Sequence, residues 1–466
     1  MNGKYFPIMV FILFPILFLS GCKMDDEAIY ILKVSPEMIL SKTGSTIIVE
    51  GMNFNEKSSV LADDKSVPTV FINSKKLKAT IDKNITGIPL NISKKNIFIS
   101  VKNGDTTSNK FSVSISHTPV CNSSSIVLDG EGVYKREIGN LLYFKNGNII
   151  IIYKEMADKT SEYEQKFILS KDKGLKWESP KSVSGELLNI NEKLYRIDDL
   201  KIFKSDDYGD SWKQIGEYPE FIPSQKEDLT VSYLKWAGGS NFYCIFSTST
   251  PSNILNIYTN SSTDFGDSWK SKEKFSYDVS NLYEGEGLQP IDMVVNNKGG
   301  IRLEFLTRYG RNMVGVAFVS SDGGSNYTQT FGAYSNRGEA YLSEDFSILG
   351  VYQEYYTGAV IGEGFFYRTN LGMDYQYGTD LWKLFKKRDK SMPHLNIKMP
   401  DRIFVSLRDL MSASFDKGKN WTKPASFYTP VSKDSEIRPF VIENGSCFVV
   451  EINPKAAIRF SRFLIE

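Results

Sequence analysis

A chain of 466 residues with 56 Lys+Arg against 55 Asp+Glu carries a formal charge of +1, so the basic surplus expected of a nucleic-acid binder is absent. Two histidines, His117 and His394, and four cysteines leave little material for a multi-histidine zinc site or a Ser-His-Asp hydrolase. That length predicts more than one domain, and an aromatic share of 13% with 35 glycines suits a turn-rich β protein; no metal or cofactor motif is legible.

In chain order, Lys4 precedes an apolar run from Phe6 to Leu19 that ends in Leu19-Ser20-Gly21-Cys22. The run is short for a membrane span, and small residues before a cysteine resemble a bacterial lipobox. The resemblance implies a lipoprotein signal peptide over 1–21, lipidation at Cys22 and a tether over 22–29. Lys23-Met24-Asp25-Asp26-Glu27 is similar to the Lys-plus-acidic signal that sends Bacteroidota lipoproteins to the outer face of the outer membrane. The membrane is therefore one expected partner, reached through the N-terminal anchor. Cys121, Cys244 and Cys447 are widely spaced and odd in number, so no disulfide framework is legible and they read as small buried hydrophobes.

From Tyr30 to Ser116, short alternating runs such as Thr46-Ile47-Ile48-Val49-Glu50 and Ile97-Phe98-Ile99-Ser100-Val101 are separated by turn signals at Gly51-Met52-Asn53-Phe54 and Asn103-Gly104. This pattern predicts a small β-sandwich over 30–116. The order of Ser35-Pro36, Gly44, strand, Gly-x-Asn-Phe and Asn-Gly resembles the IPT/TIG immunoglobulin-like domain, which implies a spacer.

The rest of the chain carries a repeat, Ser-x-Asp-x-Gly-x-x-Trp. Full copies start at Ser170, Ser205, Ser262 and Ser414, a fifth at Ser320 ends in Tyr327, and Arg368-Asn370-Gly372-Tyr375 is a decayed sixth. Short polar side chains hold a tight turn, Gly supplies a positive φ, and the aromatic packs between sheets. Start-to-start spacings of 35 to 58 residues fall near the period of four-stranded propeller blades. The motif resembles the Asp box of the sialidase-like BNR repeat families, which implies an all-β chain with a six-bladed propeller over 121–466. In those families the boxes are structural and lie away from the site.

The same resemblance supplies candidate site residues. Sialidases hold a substrate carboxylate with three arginines, use an Asp as acid/base and a Tyr paired with a Glu as nucleophile. Arg suits the clamp because its planar fork grips a carboxylate with two hydrogen bonds. Arg136 in Tyr134-Lys135-Arg136-Glu137-Ile138, Arg308 after Gln289-Pro290 and Gly299-Gly300, and Arg408 in Ser406-Leu407-Arg408-Asp409-Leu410 match the clamp positions. Gln289, able to hydrogen-bond a sugar hydroxyl, stands where sialidases carry a Glu, and Asp158 falls on the acid/base loop. Glu436 occupies the place of the nucleophilic Tyr, with Glu451 at the supporting carboxylate. Carboxylates at Glu436, Asp158 and Glu451 would allow two-carboxylate glycoside hydrolysis.

Three classes follow: a surface exo-glycosidase for acidic terminal sugars, a non-catalytic glycan- or protein-binding lipoprotein, and an adhesion platform. Fold alone does not choose among them.

Overall fold

The computed structural model describes residues 28–463 apart from single positions and short internal segments, the longest being 219–227 and 281–287. Cys22 and the whole of 1–27 lie outside the described residues. The chain divides into two units, Met1–Gly87 with Asn96–Ile115, and Ile88–Lys95 with Ser116–Glu466.

The first unit is a β-sandwich. One sheet orders Tyr30–Ser35, Ser45–Met52, Lys76–Ile81 and Thr69–Asn73; the other includes Met38–Leu40, Phe111–Ser116, Lys94–Asn103 and Ser59–Ala62. Alternation decides which face is inward. Ile47, Val49, Leu77, Ala79 and Ile81 are buried on the first sheet, and Val60, Ile99, Val101, Val113 and Ile115 on the second, as two sheets packed face to face require.

The second unit is a β-propeller. Spacing of the boxes predicts six blades, but among the described residues seven sheets follow one another around the ring, six of four strands and one, the third, of five. Blades 1 to 6 begin with the innermost strands Lys135–Tyr143, Glu186–Ile190, Asp228–Gly238, Gln289–Val295, Arg337–Leu342 and His394–Asn396. Blade 7 takes Glu436–Val441, Cys447–Ile452 and Ile458–Phe463 from the C-terminal end and Ser123–Leu128 as its outer strand. The physical reason for the miscount lies in that closure. Each box is the turn from the third to the fourth strand of a blade, and in blade 7 those strands lie at opposite ends of the propeller sequence, so no turn joins them and no box exists. Six boxes mark seven blades.

Apolar clusters fill the spaces between blades: Tyr153 and Ile168 of blade 1 with Phe448 and Phe460 of blade 7, Phe167 with Leu187 and Leu194, and Tyr195 with Phe242 and Phe246. The boxes lock these interfaces. In the box at Ser414, Ser414 Oγ donates to Asp416 Oδ1 at 2.8 Å, Gly418 N donates to Ser414 Oγ at 2.8 Å, and Asn420 N donates to Asp416 Oδ1 at 2.8 Å. Gly418 has φ +94°, and a Cβ there would lie 2.1 Å from Phe365 Cε1 in the third strand of the preceding blade. Gly174, Gly209, Gly266 and Gly324 press in the same way on Phe460, Phe167, Ile202 and Thr259. Gly is thus demanded twice, by its backbone angle and by the approach of the next sheet.

Candidate functional site

Because every blade repeats the same up-and-down order, the starts of all innermost strands and the turns from second to third strand lie on one face. The boxes lie on the other. Arg136, Asp158, Arg408, Glu436 and Glu451, together with the strand ends that carry Gln289 and Arg308, all belong to the face opposite the boxes. Individual geometry divides the candidates.

Arg136 is 8% exposed. Its Nε donates to Glu155 Oε2 at 3.0 Å, its Nη1 donates to the carbonyls of Ala456, at 2.7 Å, and Asp129, and its guanidinium lies 5.7 Å from the Tyr153 ring centroid. Burial pushes the Glu155 carboxyl up, but hydrogen bonds from Lys166 and Arg136 outweigh it and the net shift is downward. A guanidinium committed in this way braces blade 1 against blade 7.

Asp158 is exposed, and its Oδ1 accepts from Thr160 N at 2.8 Å, Thr160 Oγ1 at 2.7 Å and Ser161 N at 2.9 Å. Those bonds from Thr160 and Ser161 hold its carboxyl down at about 2. A proton donor at neutral pH needs the opposite shift, so the geometry gives Asp158 a turn-forming role instead of an acid role. Glu451 is fully buried, accepting from Tyr428 Oη at 2.5 Å and from Val431 N at 2.9 Å. Tyr428 is itself only 5% exposed. The pair buttresses the connection into blade 7 and does not face solvent.

Arg408 is half-buried at φ +53° in the two-residue turn between Ile403–Leu407 and Leu410–Ser414. Gln289 opens the innermost strand of blade 4 and Arg308 lies near the end of Ile301–Tyr309. Their side chains lie outside the described residues.

Glu436 is the candidate that keeps a reactive setting. It opens the innermost strand of blade 7, its side chain reaches solvent, and its Oε1 accepts a long hydrogen bond from Ile138 N, 3.4 Å, on the innermost strand of blade 1. Desolvation by the surrounding mouth is the main cause that pushes its carboxyl up; the Ile138 N–H and the charges of His394 and Arg438 pull the other way, and Glu137 adds to the rise. Arg438, two residues on, donates Nη1 to Gly139 O at 2.7 Å.

Glu137 stands beside Ile138 and was missed as a site residue. Lys135 Nζ and Tyr163 Oη each donate to its Oε1 at 2.6 Å. Those two bonds hold its carboxyl below the ordinary range, while Glu137 in turn raises Lys135. A second polar group comes from blades 2, 3 and 4, where Glu186 pairs with Lys235 at 3.3 Å and burial pushes Asp292 up. The signal they offer in the sequence is a charged residue at or near the start of an innermost strand, as at Glu137, Glu186 and Glu436, where strand direction places it at the mouth. Among the described residues no cluster of His, Cys, Asp and Glu suits a metal ion.

Comparison with known proteins supports the architecture of the first unit. Residues 30–115 match the family model of the IPT/TIG domain. No curated protein matches the chain. Among solved structures, the chain is similar to an alpha-L-arabinanase of Penicillium chrysogenum complexed with arabinobiose, at 12% identity over 74% of this chain and 99% of that one with TM-score 0.38. It is also similar to a protein of unknown function from Dyadobacter fermentans, 13% identical over 74% and 99% with TM-score 0.40. A third is the β-propeller domain of the Trilobed protease from Pyrococcus furiosus, 9% identical over 72% and 96% with TM-score 0.39. Such likenesses are silent on chemistry.

Proposed function

We propose that the propeller is a glycoside hydrolase whose centre lies at the mouth between blades 7 and 1, with Glu436 as proton donor and Glu137 as the ionised partner. One observation carries this reading: two carboxylates on adjacent innermost strands are shifted in opposite directions, Glu436 up by desolvation and Glu137 down by Lys135 and Tyr163. Environments that drive two neighbouring carboxyls apart make one an acid and the other a base or nucleophile at the same pH. Arg438 and His394 supply positive or hydrogen-bonding groups beside them.

The finer reading, an exo-glycosidase for acidic terminal sugars, rests on Arg308 and Arg408, because Arg136 is committed to Glu155. Lipid attachment at Cys22 and a place on the outer membrane surface belong to the same proposal. A panel of aryl glycosides with neutral hexosides, pentosides and a sialoside tests it. Turnover that disappears in Glu436→Gln supports the hydrolase, and a preference for the sialoside supports the acidic-sugar form. A folded protein with no turnover across the panel that still binds glycans overturns the hydrolase.

That second reading, a glycan-binding propeller, has its own support. Glu137 is held by two strong donors at 2.6 Å, which lowers its basicity and its freedom to attack. Retained binding in Glu436→Gln without any turnover in the parent protein would establish it.

A further inference from the structure

Three thiols are described in the propeller, and two of them meet. Cys121 lies two residues before the outer strand of blade 7, Ser123–Leu128, and Cys447 opens the second strand of the same blade. They are 326 residues apart in sequence, yet Cys121 Sγ donates to the carbonyl of Cys447 at 3.5 Å. Cys121 is further fixed by its N–H, which donates to Phe427 O at 2.8 Å. Both are buried, at 5% and 0% exposure, and Cys244 is buried separately in the second strand of blade 3.

We propose that Cys121 and Cys447 are a disulfide site that fastens the first strand of the propeller to its last blade. Formation requires an oxidant of the disulfide class. One thiolate attacks a sulfur of that disulfide and releases a thiol; the second thiolate then attacks the mixed disulfide and releases another. Two thiols of the protein are oxidised to one S–S bond, one external disulfide is reduced to two thiols, and the two protons end on the departing sulfurs.

Burial decides when this happens. Desolvation, followed by the neighbouring Cys447 thiol, raises the Cys121 pKa well above the ordinary value, so the thiolate needed for attack is scarce once the blade has closed. The bond therefore forms while the outer strand is still seeking its place. It then ties a blade whose outer strand is otherwise held by its ladder to Ile458–Phe463.

The full chain, unfolded under reducing conditions and refolded with glutathione disulfide or with dithiothreitol, tests this. Non-reducing peptide mapping of the oxidised sample is expected to show one Cys121–Cys447 linked peptide, with Cys244 free. Thermal unfolding is expected on the order of 5 °C higher than in the reduced sample, since a cross-link over a long loop restricts the unfolded chain. That difference should vanish in Cys121→Ala/Cys447→Ala. Mapping that finds both thiols free at every glutathione ratio, or a mixture of pairings that includes Cys244, overturns the proposal. Should the double variant fail to fold, the wild-type peptide map decides alone.

Discussion

The two faces of the propeller are built by opposite rules. On the box face, one motif is written again and again, and each of the five described copies satisfies its own turn while pressing a glycine against the blade before it. On the mouth face almost nothing repeats: blade 1 supplies Glu137, blade 2 Glu186, and blade 7 Glu436 and Arg438. Repetition follows where every blade has the same mechanical task, and difference where each blade makes one contribution to a shared opening. The box face should therefore govern stability, and the mouth face chemistry.

The largest effect expected is at the box face. Gly418→Ala combines a φ of +94° with a Cβ 2.1 Å from Phe365, and should cost about 4 kcal/mol from strain and overpacking. Urea unfolding would show it, while kcat of the folded fraction stays at the parent value. Next, Arg136 tests whether a mouth-face residue can belong mechanically to the other class. Arg136→Ala strips a buried ion pair from Glu155 and should cost about 3 kcal/mol with KM unchanged; a raised KM without loss of stability would restore its clamp role.

Glu436→Gln sharpens the comparison from the chemical side. Loss of a general acid should lower kcat by roughly 100-fold or more. Stability moves the other way. A carboxyl whose folded pKa is raised destabilises the fold as pH rises above the unfolded value through the folded one, so the Gln variant should melt no lower than the parent at pH 7.

The smallest effect expected is at a box carboxylate. Burial pushes Asp322 up, but bonds from Asn326, Ser320 and Ser325 prevail and hold it at about 2. A depressed carboxyl adds stability above its unfolded pKa and loses it as pH falls through the folded value. Asp322→Asn should therefore be less stable than the parent at pH 6 by less than about 1 kcal/mol, given solvent screening, and the gap should close between about pH 4 and pH 2. A gap that widened with acid would show that the box carboxylate is not held by these bonds.

Much of the fold was legible because the boxes encode local turns, whose partners lie within a few residues. The seventh blade was not, since its outer strand joins the other three only through space. The same division explains the site. Asp158 sits in a polar loop that the sequence displays openly, but its commitment to Thr160 and Ser161 depends on the turn actually formed. Arg136 reads as a free guanidinium until Glu155 arrives from the adjacent strand and Ala456 from 320 residues away. Glu137 stood in the same stretch as Arg136 with no signal beyond its place near the start of an innermost strand, because its lowered carboxyl is set by Lys135 together with Tyr163 across the blade. Alternation placed Lys135 and Glu137 on one side and Arg136 on the other, and side mattered more than charge.

Closure through blade 7 also sets a schedule for synthesis. The strand Ser123–Leu128 leaves the ribosome well before Ile458–Phe463, to which its hydrogen-bonding edge belongs. At about 5 to 20 residues per second, it waits on the order of half a minute with an open edge that any other extended chain could occupy. A nascent chain that stalls before Ile458–Phe463 would hold six blades and a loose ribbon, open to capture by chaperones and to mispairing with a second copy.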